Sequence, residues 1–246
     1  MTPTLPNPVC CVTDIERPRF YPRQIITADD LTLDQDYFRE KIHRHAHFLH
    51  GWGVVCGATL DYTTKPWLIK VNAGYILTPC GNEIVICKDF CFDVRSRCMT
   101  PTTGHDPCAD VWQPPPRRAE GPTTVFVAIE YVQLPGRPVR VAAAGCGCSD
   151  NQCESSRWQD GYRICVLDTL PDSHVGDPQP SPVTEGPPPA CPPVIKNPWV
   201  VLGQVTVQVD GVISTIVYSN CRRQVVTFAP CWWRPTDPAA NPNGTA

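Results

Sequence analysis

Four histidines, at 43, 45, 47 and 50, and three closely spaced cysteines, Cys146, Cys148 and Cys153, are the residues of this chain whose types and spacing invite chemistry. His43, His47 and His50 fall at i, i+4 and i+7 and would share one face of a helix, as metal ligands must. The glutamate that a helical metalloprotease sets beside its first histidine is missing, because Arg44 and Ala46 are the residues between these histidines and His45. The alternative is a set of cationic or neutral side chains at a helix C-terminus, where the dipole favours them, and capping is the expectation taken forward. The run Gly145-Cys146-Gly147-Cys148-Ser149-Asp150-Asn151-Gln152-Cys153 is the sharper pattern. Three thiols separated by small, turn-forming residues can converge on a structural zinc, with a fourth ligand from Cys165, Cys56, Cys191 or a histidine. A disulfide from Cys146 or Cys148 to Cys153, stiffening a glycine-rich loop, is the preferred reading; the zinc comes second and three unlinked thiols third. No Cys-x-x-Cys-His is present, which excludes covalent haem attachment of that kind.

Cys87 and Cys91 share strand parity but stand too far apart on a continuous strand to bond each other. With Cys98 near by and Cys80 and Cys108 flanking, cross-strand pairing or plain burial is expected. Ser155-Ser156-Arg157 and His105-Asp106 supply polar groups, yet nothing in the order of residues fixes a base against a nucleophile. Phosphate loop, nucleophile elbow and paired carboxylates are all missing. The expectation is a protein without catalysis.

The elements that would position these residues are readable in turn. Residues 1–26 carry Pro3, Pro6, Pro8, Pro18 and Pro22, which excludes a regular helix and predicts an extended arm. Residues 27–51 read as a capped helix. Thr27-x-x-Asp30 and Thr32-x-x-Gln35 both resemble capping boxes, so a short turn is expected before a main helix from about Leu33 to His50. Leu33, Tyr37, Phe38, Ile42, Ala46 and Leu49 trace its apolar stripe, acids crowd its start, bases its end, and Gly51 supplies the stop. Trp52 is expected to plug the helix against a sheet. From there the hydrophobic period switches to two, and strands are predicted over 54–62, 67–72, 83–94, 124–133, 139–142, 162–167, 200–209 and 212–218. Asp210-Gly211 and Pro79-Cys80-Gly81-Asn82 are the best turns. The fold class is therefore mainly β with one N-terminal α-helix, a β-sandwich or barrel-like domain over 52–230 with proline-rich loop insertions at about 95–123 and 168–198. A polar, proline-broken tail follows over 231–246. Trp232-Trp233, at its start, either anchor the tail or insert into a partner.

Composition narrows the function classes. Charged residues make up 18% of the 246 and 29 are proline, which fits irregular loops and surfaces that meet other proteins. A net charge of −3 with no basic block leaves no nucleic-acid footprint. No run of 18 apolar residues exists to span a membrane as a helix, and the start lacks the basic-then-apolar order of a secretory signal, so synthesis in the cytoplasm is expected. Fifteen cysteines sit uneasily with a reducing cytosol; an odd count leaves at least one thiol unpaired in an isolated chain. Burial, metal binding, or oxidation after release would each resolve this.

Arg19-Phe20-Tyr21-x-x-Gln24-x-x-Thr27-Ala28-x-Asp30-Leu31, then Tyr37-Phe38-x-x-Lys41, then Leu49-His50-Gly51-Trp52-Gly53-Val54-Val55-Cys56-Gly57 form a block that resembles structural proteins of phage-tail-like particles. Those proteins belong with the baseplate and fibre components of contractile injection systems. Three later segments agree: Val71-x-Ala73-Gly74-Tyr75-Ile76-Leu77-x-x-x-Gly81-x-Glu83-Ile84; Cys153-Glu154-x-Ser156-Arg157-x-x-Asp160-Gly161-Tyr162; and 199–207 closing on Arg222-Arg223. The resemblance covers most of residues 19–226, and the chain departs from it in its histidine-rich helix end and long proline loops. It implies a β-rich, oligomeric subunit of a tail, baseplate or fibre-attachment layer, partnered by other subunits, assembled into a particle and released by lysis. On that reading Arg19, Tyr21, Arg23 and Gln24 are expected at a partner interface; the alternative is that they pack the arm onto its own domain. Two rival functions stand beside it: a fibre-like adhesin reading a cell-surface glycan with the proline loops, and a metal-dependent hydrolase using the histidine face.

Overall fold

The computed structural model describes residues 14–96, 98–100, 123–140, 153–175, 195 and 197–225. An extended arm leads into helix α1, Ala28–His45. The helix starts one turn earlier than the expected Leu33, because the first of the two capping boxes forms. The Asp30 N–H donates to Thr27 Oγ1 and the Thr27 N–H to Asp30 Oδ2, which satisfies two of the donors a helix start leaves open. Thr32 lies inside the helix instead, its hydroxyl donating to the Ala28 carbonyl. The last turn, Ala46–His50, is π-helical, and Gly51 at φ 71° ends it.

Eleven strands follow among the described residues: β1 Gly53–Gly57, β2 Leu60–Tyr62, β3 Leu68–Val71, β4 Gly74–Leu77, β5 Glu83–Ile86, β6 Phe90–Asp93, β7 Cys98–Met99, β8 Thr123–Arg140, β9 Cys153–Leu167, β10 Val200–Val207 and β11 Ile213–Val217. They make two three-stranded sheets, β1-β4-β5 and β2-β3-β6, and a five-stranded sheet, β11-β10-β8-β9-β7. Every pairing between these strands is antiparallel. The predicted strand 54–62 is two strands in two sheets, because Gly57 and Ala58 both take positive φ and turn the chain. The predicted strand 83–94 likewise breaks at 87–89, where Asp89 accepts the Ala73 N–H and pairs with Lys70 at the surface. Conversely, 124–133 and the described start of 139–142, Val139 and Arg140, join in one strand through Pro135 and Pro138, and β9 begins nine residues before the expected Tyr162. Proline is tolerated there because that part of β8 has no described neighbour on its other side. The turns at 79–82 and at Asp210-Gly211 form as expected.

The body is sandwich-like. Ile69, Val71, Ile76, Ile84, Ile86 and Phe92 of the small sheets share one core with Val127, Ile129, Ile164, Val200, Leu202 and Val205 of the large one. Full burial of each such side chain stabilises by about 1.5–3 kcal/mol. The first strand is tied to the C-terminal end of the described residues. Val54 forms a parallel bridge with Gln224, and the Val54 N–H donates to the Arg223 carbonyl. Arg222 donates to the carbonyls of Gly57, Ala58 and Leu202. The Arg223 guanidinium lies 4.2 Å from the centre of the Trp52 ring. Trp52, expected to plug the helix against a sheet, is buried in the core instead, against Arg223 and His174.

Candidate interaction surface

Helix α1 is fastened to the body at its C-terminal end. His47 is buried, with Nδ1 3.0 Å from the Pro79 carbonyl oxygen. Gly81 sits directly under the helix: a Cβ there would lie 2.5 Å from the His43 carbonyl oxygen, and its φ of 84° also favours glycine. Burial holds His43 below its ordinary pKa, against the opposing pull of Glu40. The histidines expected to cap therefore do more: His43 and His47 seat the helix on the β4–β5 turn, and His45 packs edge-on against His50. They do not converge on a common point, and no group of three metal-ligating side chains occurs among the described residues.

The rest of the helix is inside out. No residue of α1 is fully buried. Asp30, Asp34, Asp36, Tyr37, Glu40, His43 and Arg44 are its half-buried positions, whereas Leu31, Leu33, Phe38 and Ile42 are exposed, with Leu49 exposed on the π turn. The expected stripe thus does not seat the helix on the sheet; of its six residues only Ala46 is buried. An amphipathic helix ordinarily turns its apolar side to its own core. This one presents it to solvent.

The arm adds to the same surface. Tyr21 to Gln24 form a tight turn: the Gln24 N–H donates to the Tyr21 carbonyl, and the Tyr21 N–H to Gln24 Oε1. Pro22 is its second residue and Arg23, at φ 68°, its third, a place that normally selects glycine or asparagine. Arg19, Tyr21 and Arg23 are exposed, and Gln24 is half-buried by the turn it closes. Phe20, Ile25 and Ile26 are exposed as well, Ile25 to 87%. The arm touches the helix through Arg17, whose guanidinium lies 5.7 Å from the centre of the Tyr37 ring; Lys41 faces the same ring.

A second projecting element escaped sequence reasoning. β10 pairs with β8 only over 123–129, and β7 meets β9 only at Cys165 and Ile164. Beyond Tyr131 and Tyr162, which still pack on the shared core, residues 132–140 and 153–161 continue as a two-stranded ribbon with no further strand paired to either edge among the described residues. Its base is locked by the buried Glu130, which pairs with Arg163, and by the Tyr131 hydroxyl donating to Asp160 Oδ1. Trp158 and Val139 are exposed on it. Residues 153–161 carry no apolar alternation that would announce a strand, and the turn-forming Ser155-Ser156 and Asp160-Gly161 pairs point away from one.

The cysteines sort as follows. Cys98 and Cys165 are directly opposed on β7 and β9 and form a disulfide, the cross-strand pairing expected for Cys98. Cys165 is thereby removed from the set of fourth zinc ligands. Cys87 and Cys91 are free and exposed, contrary to the burial expected of unpaired thiols there; Cys56 is free and exposed, Cys221 free and buried. Cys146 and Cys148 lie outside the described residues, and Cys153 is described only as the backbone that opens β9. Trp232 and Trp233 also lie outside them, as does most of the proline loops on which a glycan reading rests.

No protein-family model matches the chain, and no curated protein matches it. Among solved structures, one chain of the TssK-TssF-TssG baseplate subcomplex of a type VI secretion system, determined by cryo-electron microscopy, is similar over 82% of this chain. The identity is 9% and the TM-score 0.39, and this chain spans 60% of that one's length. A likeness of that degree carries no argument about role.

Proposed function

We propose that this chain is a structural subunit of a phage-tail-like contractile injection particle, placed at the baseplate or in the fibre or cap layer attached to it. It works by assembly with other tail or baseplate subunits and with further copies of itself, without a catalytic step of its own. One observation carries the assembly reading: α1 and the arm turn Phe20, Ile25, Ile26, Leu31, Phe38 and Ile42 to solvent, while the polar side of the helix faces the body. Apolar surface of that extent on adjoining elements is the mark of a surface that another protein covers. The choice of particle rests on the resemblance of the 19–57 block and of the later segments that match it. Within this reading Arg19, Tyr21, Arg23 and Gln24 rim the apolar patch and make the polar contacts of the interface.

Deleting residues 1–26 is expected to leave a folded subunit that is missing from purified particles. Replacing Arg19, Tyr21 and Arg23 together by alanine is expected to reduce incorporation in the same direction. Normal incorporation of the truncated subunit would count against the proposal. Electron microscopy of the native particle with the subunit tagged locates the layer.

A further inference from the structure

The exposed side of α1 obeys a seven-residue rule. Leu31, Gln35, Phe38, Ile42 and His45 step by four and three in alternation, and every one of them is exposed. Such steps average 3.5 residues, the spacing of a seam along which helices wind round one another. The seam is directed away from the body: Glu40, on the half-buried side, lies roughly 160° round the helix from Ile42 at 100° per residue. A second helix laid along the seam therefore meets no part of the β4–β5 turn that seats the first.

We infer that α1 self-associates with the α1 of a second copy of this chain, in parallel, through the Leu31–Gln35–Phe38–Ile42–His45 seam. The charges beside the seam choose both the occupant and its direction. Asp34 and Arg39 stand on opposite shoulders, five residues apart, the offset at which flanking residues of two parallel helices meet. In a parallel pair Asp34 of each copy faces Arg39 of the other, twice over by symmetry. In the antiparallel register that stacks Phe38 on Ile42 of the second copy, Arg39 meets Arg39 and Lys41 meets Lys41, like charge on like. Asp34 has no hydrogen bond or ion pair within the described residues, and Arg39 pairs with Asp36 on its own helix at the exposed surface, within electrostatic reach of Tyr131. Gln35 and His45 are the polar members of the seam. Such residues set register at some expense of stability, and here they favour the single parallel alignment in which Gln35 meets Gln35 and His45 meets His45.

This inference deepens the assembly reading and rests on it, but its test does not use the particle. Sedimentation of the full chain is expected to show two or more copies per species. Phe38→Glu with Ile42→Lys is expected to give a monomer with an unchanged far-ultraviolet spectrum and thermal transition. Asp34→Arg alone is expected to weaken association roughly tenfold, the loss of two flanking ion pairs and the gain of two like-charge contacts. Adding Arg39→Asp is expected to restore it, since the two signs are then exchanged on both copies. A monomeric wild-type chain overturns the inference, whatever covers the helix. So does association that Asp34→Arg leaves unaltered, or that Arg39→Asp fails to restore. If the wild-type chain is monomeric while deletion of residues 1–26 still blocks incorporation, this inference falls and the particle reading stands.

Discussion

Two buried ionisable side chains hold the body together, and each leaves a pH signature. His174, in the 3-10 turn Asp172–His174, accepts the Val201 N–H at Nε2 and packs edge-on against Trp52. Burial, with the Arg223 charge adding to it, lowers its pKa to about 4. The folded protein holds this imidazole neutral, while the unfolded chain takes up a proton near the ordinary value of about 6.5. The stability His174 supplies is therefore complete above pH 6.5 and is lost as pH falls to 4, by about 3 kcal/mol. Urea unfolding midpoints measured across that window are expected to fall accordingly, and His174→Gln to flatten the profile. Glu130 behaves in the opposite sense. Burial raises its pKa, against the opposing pull of Arg163, so its charged form costs stability as pH rises. Arg163→Ala leaves that carboxylate buried without its partner and is expected to destabilise by about 3 kcal/mol at pH 7. The penalty should shrink in urea titrations near pH 4, and a penalty independent of pH would mean that Arg163 acts through packing alone.

At the scale of elements, α1 is a helix capped at its start by its own residues and seated on the body at its C-terminal end. Its N-terminus depends on the Thr27–Asp30 box and its C-terminus on the seat formed by Pro79, Gly81 and His47. Thr27→Ala is expected to cost about 1 kcal/mol of helix stability. Gly81→Ala introduces a Cβ into the His43 carbonyl and forces a positive φ on alanine, for about 1–2 kcal/mol from the backbone alone. Hydrogen exchange is expected to quicken across α1 in both variants while the amides of β8 over 123–129 keep their protection. Uniform acceleration over helix and sheet would instead show that α1 unfolds only with the whole body. Strands β8 and β9 obey a different rule: their inner halves lie within the sheet, and their outer halves depend on each other. Isolated two-stranded ribbons are marginal in water, and the Glu130–Arg163 and Tyr131–Asp160 contacts at the base are what hold this one in register.

For the molecule as a whole, closure is the organising feature. The Cys98–Cys165 disulfide spans 67 residues, and the Arg222–Arg223 segment returns to the first strand. A cross-link closing a loop of that size stabilises by about 4 kcal/mol through the unfolded chain. Cys98→Ala with Cys165→Ala is expected to lower the unfolding free energy by roughly that amount and to leave a smaller sensitivity to a strong reductant, because Cys80 is also disulfide-bonded. The exposed thiols at Cys56, Cys87 and Cys91 should react with a thiol reagent in the native state, whereas the buried Cys221 should react only on unfolding.

Sequence alone determined whatever depends on neighbours a few residues away. Thr27 and Asp30 announced a cap, Gly51 a stop, and Asp210-Gly211 a hairpin, since each is a bargain between adjacent backbone groups. Alternation of apolar residues likewise announced a β-rich body. Tertiary structure decided where an apparent strand changes sheet at Ala58 or at residues 87–89, because alternation of apolar and polar residues continues through the break and does not reveal a turn of the backbone. It decided that Cys98 meets Cys165, that Arg223 covers Trp52, and that His174 completes their contact, pairings between residues tens to more than a hundred positions apart. It decided above all which side of α1 faces out. A helical period reveals that an apolar face exists, but only the packing of the remaining chain determines whether that face is covered by its own body or left for another.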